Sequence, residues 1–156
     1  MKHLLFITVF LFSAPATAQS EAPVENRYER YFGTVVRVID GDTLIAKIDL
    51  WPGLVNEIPV RVRGIDAPEL RRVACEAERN WGEDARKQVE KLYGPGTSIR
   101  LENVEMDSFG RAVADIRRWR SDRWLYFGEE LIQRGLAVEW HDGQDDVPWC
   151  LLAETR

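Results

Sequence analysis

The pattern of apolar and polar positions first predicts a group of β-strands. Apolar, often β-branched residues recur with strand-like spacing in three early runs, near residues 32–39, 42–49 and 57–65. Asp40-Gly41 between the first two runs is typical of a hairpin, because glycine accepts positive φ without steric cost. Trp51-Pro52-Gly53 separates the second run from the third. The third run ends near Asp66, because Pro68 cannot continue a strand.

Beyond the third run, the period changes from two residues to three or four. This change predicts an amphipathic helix from Ala74 to Tyr93, which Gly94-Pro95-Gly96 ends. Further along, the pattern predicts strands over 98–103 and 111–119, a helix over 125–134 and a short terminal helix over 147–154. This order predicts an α+β, mainly β fold: a small Greek-key barrel with two or three helices.

The first 18 residues have the composition of a signal peptide. A positively charged start precedes an apolar run from Leu4 to Phe12, and Ala16-Thr17-Ala18 matches the small-x-small pattern that signal peptidases cut. The run is too short to span a bilayer as a helix, which takes about 20 residues. We therefore expect a bacterial protein that is exported to the periplasm or medium, with a mature chain that begins at Gln19 and has no membrane segment. An uncleaved anchor is the alternative.

Residues 19–156 have the length of a single domain. We expect residues 19–30 to be a flexible leader, residues 31–140 to form the domain, and residues 141–156 to be a C-terminal tail. The net charge is −5, which does not favour phosphate binding by the whole surface. The basic residues, however, are nearly all arginines, whose planar forks suit bidentate phosphate contacts.

Two cysteines follow the predicted signal peptide, Cys75 and Cys150. In an exported protein an even number of cysteines favours a disulfide, which here would connect the first helix to the tail. Two buried free thiols are the alternative. Two cysteines and one histidine, His141, are too few ligands for a zinc site without a partner motif.

Acidic and arginine side chains recur at the predicted strand ends. Asp42 follows the first hairpin turn, Asp66 and Glu69 follow the third strand, and Arg61 lies within that strand. A cluster of these acids is repulsive unless a cation lies between them. A solvated surface ion network is the alternative interpretation.

Four sequence blocks together resemble the staphylococcal nuclease (thermonuclease-like) family. The blocks are Val38-Ile39-Asp40-Gly41-Asp42-Thr43, Arg61 with Ile65-Asp66-x-Pro68-Glu69, Asp107-x-Phe109-Gly110-Arg111, and Leu131-Ile132-x-x-Gly135-Leu136-Ala137. The resemblance runs from about Tyr31 to Trp140, most of the mature chain. The resemblance implies a five-stranded OB-fold barrel.

The resemblance also implies a role for each site residue. Asp42, Asp66 and the backbone carbonyl of Ala67 would bind a metal ion, and an all-oxygen site suits Ca²⁺. Glu69 would act as general base, and Arg61 and Arg111 would bind the phosphate. Asp40 would lie close to the metal and Thr43 would hydrogen-bond around the site. The alternative for Asp40 is an ordinary hairpin residue. The alternative for Thr43 is an ordinary strand residue.

The function implied by the resemblance is that of a calcium-dependent endonuclease. It would hydrolyse phosphodiester bonds of DNA and RNA, with single strands favoured, and leave 3′-phosphate ends; we expect a monomer. One alternative is a non-catalytic OB-fold module that binds nucleic acid or protein. Another is a domain that binds Ca²⁺ only for stability.

The chain departs from the best-known family member before Arg111. Ser108 and Phe109 occupy positions that hold a lysine and a tyrosine in that protein. Phe109 still offers a ring on which a base can stack. The segment Arg117 to Trp124, rich in arginine and tryptophan, is either a nucleic-acid rim or a solvated edge, and the second interpretation is favoured.

Overall fold

A computed structural model describes residues 30–155 of the chain. The predicted signal peptide and almost all of the predicted leader lie outside these described residues. The elements, in chain order, are β1 (Arg30–Val38), β2 (Thr43–Trp51), β3 (Leu54–Val62), β4 (Ile65–Asp66), α1 (Glu76–Tyr93), β5 (Ser98–Met106), β6 (Ala112–Arg120), β7 (Arg123–Tyr126), α2 (Phe127–Gln133), β8 (Val138–Glu139) and α3 (Trp149–Ala153).

The long strands close into a five-stranded barrel. The sheet order is β3-β2-β1-β5-β6-β7, and a parallel pairing between β3 and β6 joins Val60 to Ala112 and closes the ring. The short strand β7 extends the sheet outward from β6. The predicted mainly β barrel with helices is therefore confirmed.

Inward-facing side chains of the barrel and the helices form one core. Leu44, Val60 and Ala114 have no exposed surface, and Tyr93 of α1 packs on Phe127 of α2 with ring centroids 4.2 Å apart. Burial of such side chains is the main favourable contribution to folding. Within the described residues, no helix is both long and apolar enough to cross a membrane.

The third strand ends earlier than the sequence pattern predicts. β3 stops at Val62, and Gly64 adopts a φ of +76°, a left-handed conformation that breaks the ladder and suits glycine. Ile65 is therefore buried in the separate strand β4, which pairs with β8, instead of sharing the face of Arg61 and Arg63. The predicted strand over 57–65 was wrong at this end.

Two other sequence expectations were wrong in detail. The helix expected to begin at Leu125 begins at Phe127, because Leu125 pairs with Arg118 in the β6–β7 hairpin. Gly41 does not adopt positive φ; its role is steric, because a Cβ at this position would lie 2.5 Å from the Cβ of Ala67. The first hairpin turn thus lies directly against the start of the 67–69 segment.

Arg118 is buried, although its segment was interpreted from the sequence as an exposed edge or a nucleic-acid rim. It is 7% exposed, and its Nη2 and Nε atoms donate to the two carboxylate oxygens of Glu130 at 2.6 and 2.9 Å. The hydroxyl of Tyr93 donates to the same carboxylate at 2.6 Å. This network connects β6 with α1 and α2, so Arg118 is a buried residue that joins three elements.

A disulfide fixes the C-terminal tail to the barrel. It joins Cys75, the residue that caps α1, to Cys150 in α3, with their Cα atoms 6.0 Å apart. This is the pairing that the sequence favoured. Trp149, beside it, is 4% exposed and packs edge-on against Trp81 of α1 at 5.0 Å between ring centroids.

Candidate active site

Most of the site residues proposed from the sequence line one cleft at the end of the barrel. The cleft has a volume of about 590 Å³. Its lining includes Asp40, Asp42, Thr43, Arg61, Glu69 and Arg111. These residues come from the β1–β2 turn, β3, the segment after β4 and the start of β6, so the closure of the barrel brings them together.

The first hairpin turn holds Asp42 in a fixed position. The carboxylate of Asp40 accepts hydrogen bonds from the backbone N–H groups of Asp42 and Thr43, at 3.2 and 2.8 Å. Asp42 is 5% exposed, and its carboxylate accepts from the Thr43 hydroxyl at 3.0 Å and from the Ala67 backbone N–H at 2.9 Å. Asp40 therefore stabilises the hairpin turn without a metal ion. Thr43 is a strand residue whose hydroxyl also holds the Asp42 carboxylate.

Arg61 connects two of the acids. Its Nη1 forms an ion pair with Asp42, and its Nη2 donates to Oδ1 of Asp66 at 3.0 Å and to the Ile65 carbonyl at 3.2 Å. Burial lowers the pKa of Arg61, but the charge and hydrogen bond of Asp42, followed by those of Asp66, raise it overall. The guanidinium therefore stays charged and ordered in the cleft.

Asp66 and Ala67 are not among the residues that line the cleft, but they hydrogen-bond to two that are: Asp66 to Arg61 and Ala67 to Asp42. The second oxygen of Asp66 accepts a hydrogen bond from Trp149 Nε1 at 2.9 Å. Trp149, which is not among the site residues predicted from the sequence, helps to orient Asp66 although it lies 83 residues away along the chain. The proximity of Trp149 to Cys150 is the one sequence signal that could have indicated it, since a disulfide to α1 brings the tail to this end of the barrel.

Glu69 is more exposed to solvent than Asp40, Asp42 and Asp66. It forms no hydrogen bond or ion pair with any residue in the described part of the chain, although it lines the cleft. Its partial burial raises its pKa, and the negative charges of Asp42 and Asp66 add to this effect. A carboxylate in this state is available to accept a proton.

The acids repel one another across the site. Burial raises the pKa of Asp40 to about 7, with a further contribution from the charge of Asp42. Burial also raises the pKa of Asp66; the Trp149 hydrogen bond lowers it, and Asp42 raises it again. Asp42 and Asp66 contact the Arg61 guanidinium, and Asp40 and Glu69 line the same cleft as Arg61. A surplus of negative oxygen ligands fits a hard divalent cation such as Ca²⁺.

Arg111, just before β6, lines the same cleft as Asp40 and Asp42. Asp107 orients it: Oδ1 accepts from the Arg111 backbone N–H at 2.9 Å and Oδ2 from Nε at 2.7 Å. Its guanidinium carbon lies 5.4 Å from the ring centroid of Phe109, which is 81% exposed. Arg111 is therefore a third arginine of the cleft, beside Arg61 and Arg63, and Phe109 adds an exposed aromatic ring.

The barrel and its cleft define a class: an OB-like fold with acids and arginines gathered at one end. Consistent with this class, the chain belongs to the family described as staphylococcal nuclease homologue, whose model matches residues 59–149. The match extends past residue 140 and includes Trp149, so the family region covers part of the segment that the sequence pattern assigned to a tail.

Relatives from distant organisms share parts of the sequence. An uncharacterized protein of Methanocaldococcus jannaschii is 29% identical over 130 residues, which cover 70% of this chain and 59% of that protein. A probable staphylococcal-like nuclease of Oryza sativa subsp. japonica is 34% identical over 88 residues, 56% of this chain and 20% of the relative. A probable endonuclease of Eremothecium gossypii is 30% identical over 97 residues, 58% and 34% of the two chains. The chain therefore spans between a fifth and three fifths of the length of these relatives.

Proposed function

We propose that this protein is a calcium-dependent endonuclease that hydrolyses phosphodiester bonds of DNA and RNA. The observation that carries the proposal is the presence of Arg61, Arg111 and Glu69 around one cleft, with Asp42 beside Arg61. A solvated ion network does not explain this arrangement, because Asp42 is buried and Arg61 is held at two acids. The names of two relatives, a nuclease and an endonuclease, support the same reaction class.

The reaction that the residues support is attack of water on phosphorus. The oxygen of water bonds to phosphorus, its proton passes to Glu69, and the bond from phosphorus to the 5′ oxygen breaks. One product strand keeps a 3′-phosphate, and the other receives a 5′-hydroxyl after its oxygen takes a proton from solvent. Arg61 and Arg111 would donate to the phosphate oxygens as charge accumulates on them. The assignment of the broken bond comes from the family resemblance.

The metal ligands would be Asp42, Asp66 and the Ala67 carbonyl. A bound Ca²⁺ would supply Lewis-acid stabilisation of the negatively charged phosphate. In the structure the carboxylates of Asp42 and Asp66 are held by Arg61, Trp149 and the Ala67 N–H. The hydrogen bonds from the Ala67 N–H and from Trp149 preorganise the two acids, because they restrict side chains that would otherwise rotate.

Cleavage of a closed circular DNA should depend on Ca²⁺. We expect the purified protein to nick and then degrade plasmid DNA in Ca²⁺, and to leave it intact with a calcium chelator. A closed circle has no ends, so its cleavage demonstrates endonuclease activity. Products should block polymerase extension until a phosphatase removes their 3′-phosphates.

The same assay discriminates between the alternatives. A Ca²⁺-dependent rise in melting temperature without cleavage would favour a site that binds calcium only for stability. Oligonucleotide binding without cleavage would favour a non-catalytic OB-fold module. Single-stranded, duplex and RNA substrates compared at equal nucleotide concentration would test the proposed preference for single strands, and sedimentation would test the proposed monomer.

We also propose that the protein is exported. The proposal rests on the composition of residues 1–18, and the Cys75–Cys150 disulfide supports it, because such bonds persist in oxidising compartments. We expect N-terminal sequencing of the protein from its native host, in the periplasmic fraction or medium, to begin at Gln19. Recovery of the chain in the cytoplasm with an intact N-terminus would contradict export.

A further inference from the structure

The disulfide between α1 and α3 lies beside the residue that orients Asp66. Trp149 is adjacent to Cys150 in sequence, and Cys150 is bonded to Cys75 at the start of α1. The indole N–H of Trp149 donates to Oδ2 of Asp66 at 2.9 Å. A covalent cross-link is thus one residue away from the hydrogen-bond donor of a proposed metal ligand.

Asp66 is held at both of its carboxylate oxygens. Trp149 donates to Oδ2, and Nη2 of Arg61 donates to Oδ1 at 3.0 Å. A guanidinium is a planar fork that can bind both oxygens of one carboxylate. Without the indole, the Asp66 carboxylate could rotate so that Arg61 binds both oxygens and competes with a metal ion for them. The Trp149 hydrogen bond therefore restricts Asp66 to one orientation.

The position of Trp149 depends on the attachment of α3. This helix has five residues, Trp149–Ala153, and a helix of that length is not stable in isolation. Residues 141–146, which lead to it, are exposed and contain no helix or strand. Trp149 packs edge-on against Trp81 of α1 at 5.0 Å between ring centroids. The disulfide and this ring contact together hold the start of α3 against α1.

The disulfide attaches α3 to an ordered end of α1. Cys75 is the N-cap residue, and its Sγ accepts a hydrogen bond from the Glu78 backbone N–H at 3.4 Å. Glu78 is 5% exposed, and its carboxylate accepts from the Ala74 backbone N–H at 2.8 Å. The Sγ atom of Cys150 lies 3.9 Å from Oε2 of Glu78. The cross-link therefore fixes α3 to a defined position on the barrel.

Reduction of the disulfide would release α3 from this position. The bond becomes two thiols when a dithiol supplies two electrons and two protons and itself becomes a disulfide, and exchange with a disulfide-bearing oxidant reverses the reaction. Cytosolic proteins keep their thiols reduced, whereas disulfides persist in oxidising compartments. The freedom of Trp149 to move therefore depends on the redox state of its surroundings.

We propose that the Cys75–Cys150 disulfide controls the metal site through Trp149: the oxidised chain holds Asp66 in the orientation that binds Ca²⁺, and the reduced chain binds Ca²⁺ more weakly. Trp149 is then a positioning residue, and hydrogen-bond partners of metal ligands contribute about 10- to 100-fold to metal affinity. An exported nuclease of this kind would reach its full Ca²⁺ affinity only after oxidation outside the cytoplasm. The inference rests on the proposed function for the identity of the metal ligand, although Ca²⁺ binding requires no cleavage.

The test is a double-mutant cycle in which isothermal titration calorimetry measures Ca²⁺ affinity. The first change is Trp149→Phe, which keeps a ring against Trp81 but removes the N–H donor. The second is Cys75→Ser with Cys150→Ser, which removes the disulfide but keeps a side chain that can cap α1. We expect each change alone to lower Ca²⁺ affinity about tenfold. The combined protein should also lose about tenfold, not the product of the two losses that independent changes would give.

Two controls separate this positioning effect from a general loss of stability. Ile99→Val shortens a buried side chain of the barrel core, so it should lower the melting temperature and leave Ca²⁺ affinity unchanged. Dithiothreitol should lower the Ca²⁺ affinity of the unmodified protein and leave that of the Trp149→Phe protein unchanged. The second control tests the disulfide without any substitution of the cysteines.

The outcomes distinguish this inference from the proposed function. Unchanged Ca²⁺ affinity in the protein without cysteines would overturn the inference, even if plasmid cleavage occurs as proposed. Additive losses in the combined protein would also overturn it, because the disulfide and Trp149 would then act independently. Non-additive losses would support it even if no cleavage were observed. Failure of the unmodified protein to bind Ca²⁺ would overturn both the inference and the proposed calcium dependence.

Discussion

Replacement of Glu69 by glutamine is expected to lower the cleavage rate at least about 10²-fold. A general base contributes roughly 10²- to 10⁴-fold to a hydrolytic step, and an amide of the same shape cannot accept the proton. The fold should not change, because Glu69 is exposed and its carboxylate forms no hydrogen bond or ion pair within the described residues. The measurement is the initial rate of oligonucleotide cleavage in Ca²⁺, with the melting temperature recorded alongside.

A second acid of the same cleft provides the control. Glu105 also lines the cleft, its side chain is 73% exposed, and it pairs with Arg63 at 3.3 Å instead of standing alone. Glu105→Gln removes the same charge from the cleft but not the proposed base, so its rate should stay within about threefold of the unmodified protein. Equal losses in the two variants would mean that Glu69 contributes only to the general negative charge, and its role as base would have to be abandoned.

The elements of the fold that could be predicted are those whose sequence signals come from near neighbours in the chain. The barrel strands and α1 follow from alternation and helical periodicity, which depend on near neighbours in the chain. The pattern could not show that Gly64 would take a left-handed conformation, because alternation continues through it to Ile65. Nor could it show that Leu125 would extend the hairpin of β6, because Leu125 is compatible with a strand or a helix and pairing decides between them.

The same distinction between local and long-range signals applies to the residues of the candidate site. Asp42, Arg61 and Glu69 could be identified because they lie in short blocks of recognisable spacing, and the closed barrel brings those blocks to one cleft. Trp149 could not, because its contact with Asp66 depends on the path of the whole C-terminal segment. The same reason explains Arg118, whose neighbours in sequence are exposed or partly exposed, while its partner Glu130 lies on α2.

Aromatic–arginine segments are similarly ambiguous until strand register is known. In the sequence, Arg117 to Trp124 has the composition of either a solvated edge or a binding rim. The structure separates its members, because Arg118 points into the core while Arg117 and Trp119 face outward. Strand pairing then places Phe32 of β1 and Arg100 of β5, both distant in sequence, in one row with Arg117. Neither original interpretation describes the whole segment.

Replacement of Arg61 by alanine is expected to lower the cleavage rate by at least about 10²-fold. Removal of one preorganised donor to the charge that develops in a transition state costs roughly 10²- to 10³-fold. Arg61→Lys is the informative companion, because lysine keeps the charge but cannot reproduce a planar fork that serves two acceptors. We expect the lysine variant to remain well below the unmodified protein.

Calcium binding by the Arg61→Ala protein distinguishes a phosphate-binding role from a structural one. In the structure Arg61 is the cation that Asp42 and Asp66 share, so its removal leaves these acids without their neutralising partner. The melting temperature without Ca²⁺ should therefore fall, since a partly buried charge loses its counterion. Ca²⁺ should raise it by at least as much as in the unmodified protein, because the metal then has no competing cation. If Ca²⁺ no longer stabilised this variant, Arg61 would act by holding the ligands in place, and its proposed contact with phosphate would not be needed to explain the lost activity.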